Sequence, residues 1–146
     1  YRDKRRIARD SAYDFPQVKR AIDDARARAG VSGVEAIDAV ETHDCFAMTE
    51  YMAIDHLGLT APGEAWKAVE AGDIEIDGKL PNNPTGRMID VGHPRGATRE
   101  SLLRDARHQS PGPTAGKQVE GARRVQTLNI GGSTTTTVSF IVEQAA

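Results

Sequence analysis

Cysteine is nearly absent: Cys45 is the only one in 146 residues, so no disulfide forms within the chain. Its thiol is either buried filler or a working group. Long apolar runs are missing too. Nothing approaches the roughly 20 residues that a helix needs to cross a bilayer. No charged-then-apolar leader precedes a small-residue cleavage site, and the expected location is cytoplasmic. Nor does one sign of charge dominate. The 19 Lys and Arg against 21 Asp and Glu leave a net charge of -2, which gives no reason to expect nucleic acid as a partner. An initiator methionine is also lacking. The chain starts inside a charged stretch, Tyr1-Arg2-Asp3-Lys4-Arg5-Arg6, which reads as a fragment, a processed chain or a missing start. Residues 1–13 form a charged N-terminal segment; Asp3 and Asp10 interrupt its basic residues, so it reads as solvated rather than as a phosphate-binding arm.

What remains, 14–146, has the makings of one globular domain; the chain as a whole is 38% hydrophobic and 27% charged. Asp14-Phe15-Pro16 predicts a helix start, with an N-capping Asp and Pro in the first turn. Val18, Ile22, Ala25 and Ala29 then share one face, while Lys19, Arg20, Asp23, Asp24, Arg26 and Arg28 occupy the other, up to Gly30. Ala36 to Thr42 predicts a short buried strand. From Phe46 to Leu57 the chain is apolar on most sides, which predicts an interior helix with Met48 and Met52 in the core. The segment His43-Asp44-Cys45-Phe46 therefore sits at a strand-to-helix junction, where open α/β sheets place ligand sites. Pro62 to Ala71 predicts a short helix carrying a core Trp66, and Asp73 to Lys79 a small hairpin or excursion. Pro81 to Gly96 is too rich in Gly, Pro and Asn to be regular. A helix over 97–107 and a surface loop over 110–116 come next. Two strands, Val125 to Ile130 and Thr134 to Val142, close the chain around Gly131-Gly132. This order argues for a layered α/β domain with a mixed sheet.

Three loop segments carry chemistry. They are His43-Asp44-Cys45-Phe46, then Asn83-Pro84-Thr85-Gly86 running into Gly92-His93-Pro94-Arg95-Gly96-Ala97-Thr98, and last Asn129-Ile130-Gly131-Gly132-Ser133. Each joins a reactive or hydrogen-bonding side chain to glycines that permit close backbone approach. A metal site from His43, Asp44, Cys45 and His93 is disfavoured, because no pair has the spacing of a zinc motif. His56 and His108 read as surface or internally satisfied residues, and Asp44 as a residue that fixes its loop.

Taken in order, the three segments resemble the C-terminal half of thiolases, of the sterol-carrier-protein or lipid-transfer type. The resemblance runs from Asp14 to the end and implies a layered α/β/α half-domain whose mixed sheet ends in an antiparallel hairpin. In this type the acid/base cysteine comes from the His-Asp-Cys-Phe loop and the last loop begins with Asn; Cys45 and Asn129 fit that pattern. The resemblance implies acyl transfer beside a coenzyme A thioester, with no permanently bound cofactor. It makes His93 the base that generates the nucleophilic thiolate, and Cys45 the group that takes or gives the α-proton. His93 and His43 then face the thioester oxygen, and Asn129, Gly131 and Gly132 supply the backbone of an oxyanion site. Asn83, Gly92, Pro94 and Gly96 form the substrate loop. The family's nucleophilic cysteine belongs to an N-terminal half, on the same polypeptide or a separate chain, and relatives are dimers or tetramers. The family also places a further strand centrally in this half, between the strands that precede His43 and follow Val125, and that strand is expected outside these residues.

Two positions depart from the pattern. Arg87 and Arg99 stand where relatives have glycine, so either the loops adjust, or the arginines bind an anionic group such as a coenzyme A phosphate, or the site is altered. Two other functions stay open. One is different chemistry on the same fold, either retro-aldol cleavage or acyl transfer to another acceptor, with a small coenzyme-A-binding partner of the OB type. The other is a non-catalytic subunit.

Overall fold

The computed structural model describes residues 15–86, 88, 92–93, 96–109, 118–132 and 134–144. The first helix, α1 (Pro16–Arg28), has Pro16 in its first turn. The N-cap position is Phe15, whose N–H donates to His56 Nε2 at 3.0 Å. Asp14 and the charged segment 1–13 lie outside the described residues. A 3-10 turn (Val34–Ala36) leads into β1 (Ala39–Thr42), which is buried at every position. Helices α2 (Ala47–Leu57) and α3 (Ala65–Glu70) follow, then α4 (Thr98–Gln109), β2 (Arg124–Gly131) and β3 (Thr136–Glu143).

The three strands form one sheet in the order β1-β2-β3. β1 runs parallel to β2, with Ala39 opposite Val125 and Thr42 opposite Leu128. β3 returns antiparallel to β2, with Gly131 opposite Thr136. The strand expected between β1 and β2 is therefore not there. Asp38 N donates to Arg124 O and His43 N to Leu128 O, each at 2.9 Å, so the two backbones satisfy one another and leave no gap to fill.

Strand alternation gives the sheet two covered faces. On one, Val40 and Leu128 pack with Val18 and Ile22 of α1 and Ala53 and Leu57 of α2. On the other, Ala39 and Val125 pack with Ala106 of α4. This is the α/β/α layering expected. Each fully buried Leu or Ile contributes about 1.5–3 kcal/mol, so the larger cluster under α1 and α2 is the main anchor.

Three expectations need correction, and a fourth, left open between two readings, is resolved. Arg26, assigned to the polar face of α1, is only 7% exposed. It lies four residues after Ile22 and so falls on the same stripe; its Nε donates to Gln126 Oε1 at 3.0 Å. Helix α2 is interior only from Ala53 to Leu57, while Phe46 and Met48 are 74% and 67% exposed. Trp66 is 48% exposed rather than core, with Lys67 Nζ over its ring. The segment from Asp73 to Lys79 is an excursion of turns and not a hairpin, and it delivers the chain back to the outer edge of β1. There Val40 N donates to Pro81 O and Asn83 N to Val40 O, both at 2.9 Å.

Burial pulls the Arg26 guanidinium below its ordinary pKa, against the attraction of Asp23 and Glu35. Gln126 also donates through Nε2 to Ser139 Oγ at 3.0 Å, so it ties α1 to both β2 and β3. Gln126→Leu should cost about 2–3 kcal/mol in urea unfolding of the intact protein, because it strands a buried charged donor. The double variant Arg26→Leu/Gln126→Leu should cost less than that single change.

Candidate active site

Parallel pairing sets the site. Because β1 and β2 point the same way and His43 N bonds Leu128 O, the loops leaving the two strands emerge side by side. The first loop carries His43, Asp44 and Cys45, and the second follows Asn129 to Gly131 at the end of β2. Gly132 is needed at the second: its φ is +56°, and a Cβ there would lie 2.7 Å from Thr135 Oγ1. The hairpin loop covers 132–135.

The third segment arrives from before α4. His93 Nδ1 is 2.8 Å from Thr98 Oγ1 in the first turn of that helix. The His93 ring stands edge-on to His43, with centroids 5.1 Å apart. A cavity of about 820 Å³ joins the three segments. His43, Cys45, His93, Gly96, Asn129, Gly131 and Gly132 all line it. Its apolar wall comes from Phe15, Val18, Met48, Met52 and Ile130.

Among the residues assigned to the substrate loop, Asn83 and Gly92 do not line this cavity. Asn83 has φ +53° and serves as a strut, its Oδ1 accepting from Thr42 N at 2.7 Å. Gly92 closes a turn through its N–H to Met88 O at 3.0 Å and passes the chain to His93. Pro94, Arg87, Ser133 and the side chain of Arg99 lie outside the described residues.

A family model described as "Thiolase C-terminal domain-like" matches residues 2–144. The chain belongs to this thiolase family. It is 42% identical over 97 residues to an acetyl-CoA acetyltransferase of Methanothermobacter thermautotrophicus, covering 66% of this chain and 25% of that protein. With sterol carrier protein 2 of Gallus gallus the identity is 33% over 117 residues, covering 80% and 21%. With the benzoylsuccinyl-CoA thiolase subunit BbsB of Thauera aromatica it is 33% over 100 residues, covering 68% and 26%. The chain thus spans roughly a quarter or less of the curated relatives it matches. A solved structure titled Ltp2-ChsH2(DUF35) aldolase superposes with a TM-score of 0.79 at 23% identity, over 92% of this chain and 34% of that one, which shows a common fold.

In this thiolase domain one imidazole and one carboxyl beside the cavity depart from their ordinary values. Burial, then the neighbouring His93, lowers the pKa of His43, against the opposing pull of Asp44. His43 is 6% exposed, and among the described residues its Nδ1 has no hydrogen-bond partner. The ring is thus held neutral, fit to offer one N–H and one lone pair. Burial and then Asp44 raise the Glu50 carboxyl, against hydrogen bonds from Asn83 and Asn82. Asp44 itself accepts from Met88 N at 3.2 Å, tying the first loop to the segment that leads to His93.

The depressed His43 has a stability consequence. Its unfolded form binds a proton more readily, so its contribution is complete above its ordinary value of 6.5 and is lost as pH falls toward the folded value. Urea midpoints should therefore drop from about pH 7 to pH 5, and His43→Asn should flatten that part of the curve. Glu50 acts in the opposite sense above its ordinary value, since the folded state holds its proton more tightly.

Sequence reading missed Thr49, whose Oγ1 is 3.9 Å from Cys45 Sγ, and it gave no role to Phe15 or Ile130.

Proposed function

We propose that this domain supplies the acid/base and oxyanion-binding part of a thiolase active site. The substrate is a coenzyme A thioester whose acyl group passes through a cysteine of an N-terminal half, outside these 146 residues. One observation carries the reading. A thiol at position 45 and an imidazole at position 93, far apart in sequence, open into the same cavity beside the end of β2 and Gly132.

In the cleavage direction the outside thiolate attacks the ketone carbon of a 3-ketoacyl thioester. The carbon–carbon bond breaks, and its electron pair becomes the enolate of the departing acetyl thioester. Cys45 gives its proton to that α-carbon and becomes a thiolate. Negative charge on the thioester oxygen is met by His93 and His43, whose neutral ring keeps an N–H to offer. Coenzyme A then attacks the acyl-enzyme; its thiol proton goes back to Cys45 and the nucleophile is released. Proton and electron counts close without a metal or a redox group.

A second reading keeps the fold and changes the reaction. The aldolase title belongs to that other protein, and a shared fold does not choose between the two. Retro-aldol cleavage forms no acyl-enzyme and consumes no coenzyme A. The deciding experiment gives the full-length protein, with its N-terminal half, acetoacetyl-CoA with and without free coenzyme A. Conversion to two acetyl-CoA only when coenzyme A is present supports the thiolase. No acetoacetyl-CoA cleavage together with coenzyme-A-independent cleavage of a 3-hydroxyacyl thioester would replace it with the aldolase.

A further inference from the structure

Glu50 lies outside the cavity, in the first turn of α2, and nothing in the reaction above uses it. Its Oε1 accepts from Asn82 Nδ2 at 2.9 Å and from Asn83 Nδ2 at 3.4 Å. The Asn83 amide is oriented from the other side, and Asn82 lies the same way round. Thr42 N is a donor only, so Asn83 must present Oδ1 to it, at 2.7 Å. Thr42 Oγ1 reaches Asn82 Oδ1 at 3.2 Å and Asn83 Oδ1 at 3.3 Å. With both carbonyl oxygens turned toward β1, both amide nitrogens turn away and need an acceptor. Glu50 supplies it.

The clamp spans the elements that carry the reactive groups. Thr42 is the last residue of β1 and immediately precedes His43. Asn82 and Asn83 open the segment that runs through Met88 to His93, and Glu50 follows Cys45 by five residues on the helix that its loop enters. Two further ties join the same pieces: Thr85 Oγ1 donates to Glu41 Oε2 at 3.1 Å, and Met88 N donates to Asp44 Oδ1. Of these groups only Glu50 bonds both asparagines from the helix side.

The geometry points to Glu50 as a positioning residue of the thiolase reaction, which fixes the His93 segment relative to Cys45 by accepting from Asn82 and Asn83. This rests on the function proposed above. Glu50 touches no substrate; it acts through the two amides. The acceptor oxygen matters, because the amide donors it meets would otherwise be left half-buried and unpaired.

The test uses the full-length protein at pH 8, with kcat and KM for acetoacetyl-CoA cleavage and hydrogen exchange at the Thr42 amide as independent readouts. Glu50→Ala should lower kcat about tenfold to a hundredfold with little change in KM. The same change should speed exchange at Thr42 about threefold to tenfold. Asn82→Asp keeps the oxygen that faces Thr42 and replaces the donor that faces Glu50 by a second carboxylate oxygen. It should mimic Glu50→Ala in both readouts. Adding Glu50→Gln to Asn82→Asp restores a donor–acceptor pair with the roles exchanged, and should recover most of the lost kcat and of the exchange protection. Wild-type kcat and exchange in Glu50→Ala would overturn the clamp. So would a double variant no better than Asn82→Asp alone, and this comparison decides even where Glu50→Ala does not fold. An unmutated protein that does not cleave acetoacetyl-CoA counts against the reaction, and the exchange data then decide the clamp by themselves.

Discussion

If the proposed reaction holds, Cys45→Ser should slow acetoacetyl-CoA cleavage by the full-length protein about 10²–10⁴-fold, the usual contribution of one placed acid/base group and equal to about 3–5 kcal/mol of barrier. The α-carbon of an acetyl thioester is a poor acid, so its proton needs a partner of matched acidity within reach. A thiol, with an ordinary pKa near ~8.5, can both give and take it near neutral pH, whereas a serine hydroxyl can do neither. Cys45 sits two residues ahead of α2, and Thr49 Oγ1 lies 3.9 Å from its sulfur, a contact in which either atom can donate. The loss should be concentrated in one step. Exchange of acetyl-CoA α-protons with deuterated solvent should fall in proportion to cleavage. Exchange of the acetyl group between acetyl-CoA and labelled coenzyme A should fall less, because a thiol gives up its proton far more readily than the α-carbon does. Undiminished cleavage in Cys45→Ser would remove this residue from the mechanism.

The position of that thiol was legible because the pattern was local. A short apolar strand, then His43 to Phe46, then a helix, predicts a loop at the end of a strand, and the structure has β1 ending at Thr42 and α2 starting at Ala47. What was not legible depended on partners distant in sequence. Nothing in Ala39–Thr42 says that its neighbour is Arg124–Gly131, and a family pattern suggested a strand between them where the two pair directly. Arg26 looks like any exposed arginine until Gln126, a hundred residues away, supplies its acceptor. Asn83 reads as a loop residue, yet its role as a strut needs Thr42 on one side and Glu50 on the other. Apolar pattern also fails to say what an apolar residue packs against. Met48 and Trp66 were expected in the core of this chain and face outward. Met48 lines the cavity wall instead.

His93→Ala should be the more damaging change at the cavity, with kcat/KM for acetoacetyl-CoA lower by about 10³–10⁴-fold. The proposed reaction uses the imidazole twice: as the base that ionises the nucleophilic thiol, and as a donor to the thioester oxygen when charge builds on it. The structure fixes the orientation of the ring. Thr98 Oγ1 engages Nδ1 at 2.8 Å, which leaves Nε2 as the nitrogen for substrate or thiol. His43 meets the same ring edge-on at 5.1 Å, so the two imidazoles are too close to be protonated together at little cost. Separate substitutions divide the two uses. His93→Asn keeps a donor near the oxygen but is no base, so it should recover part of the loss in His93→Ala while alkylation of the nucleophilic cysteine by iodoacetamide stays slow at neutral pH. Thr98→Val keeps the imidazole and frees its orientation, and should cost only about tenfold. Rapid alkylation in His93→Asn, equal to that of the unmutated enzyme, would assign activation of the nucleophile to another group and leave His93 with the oxygen alone.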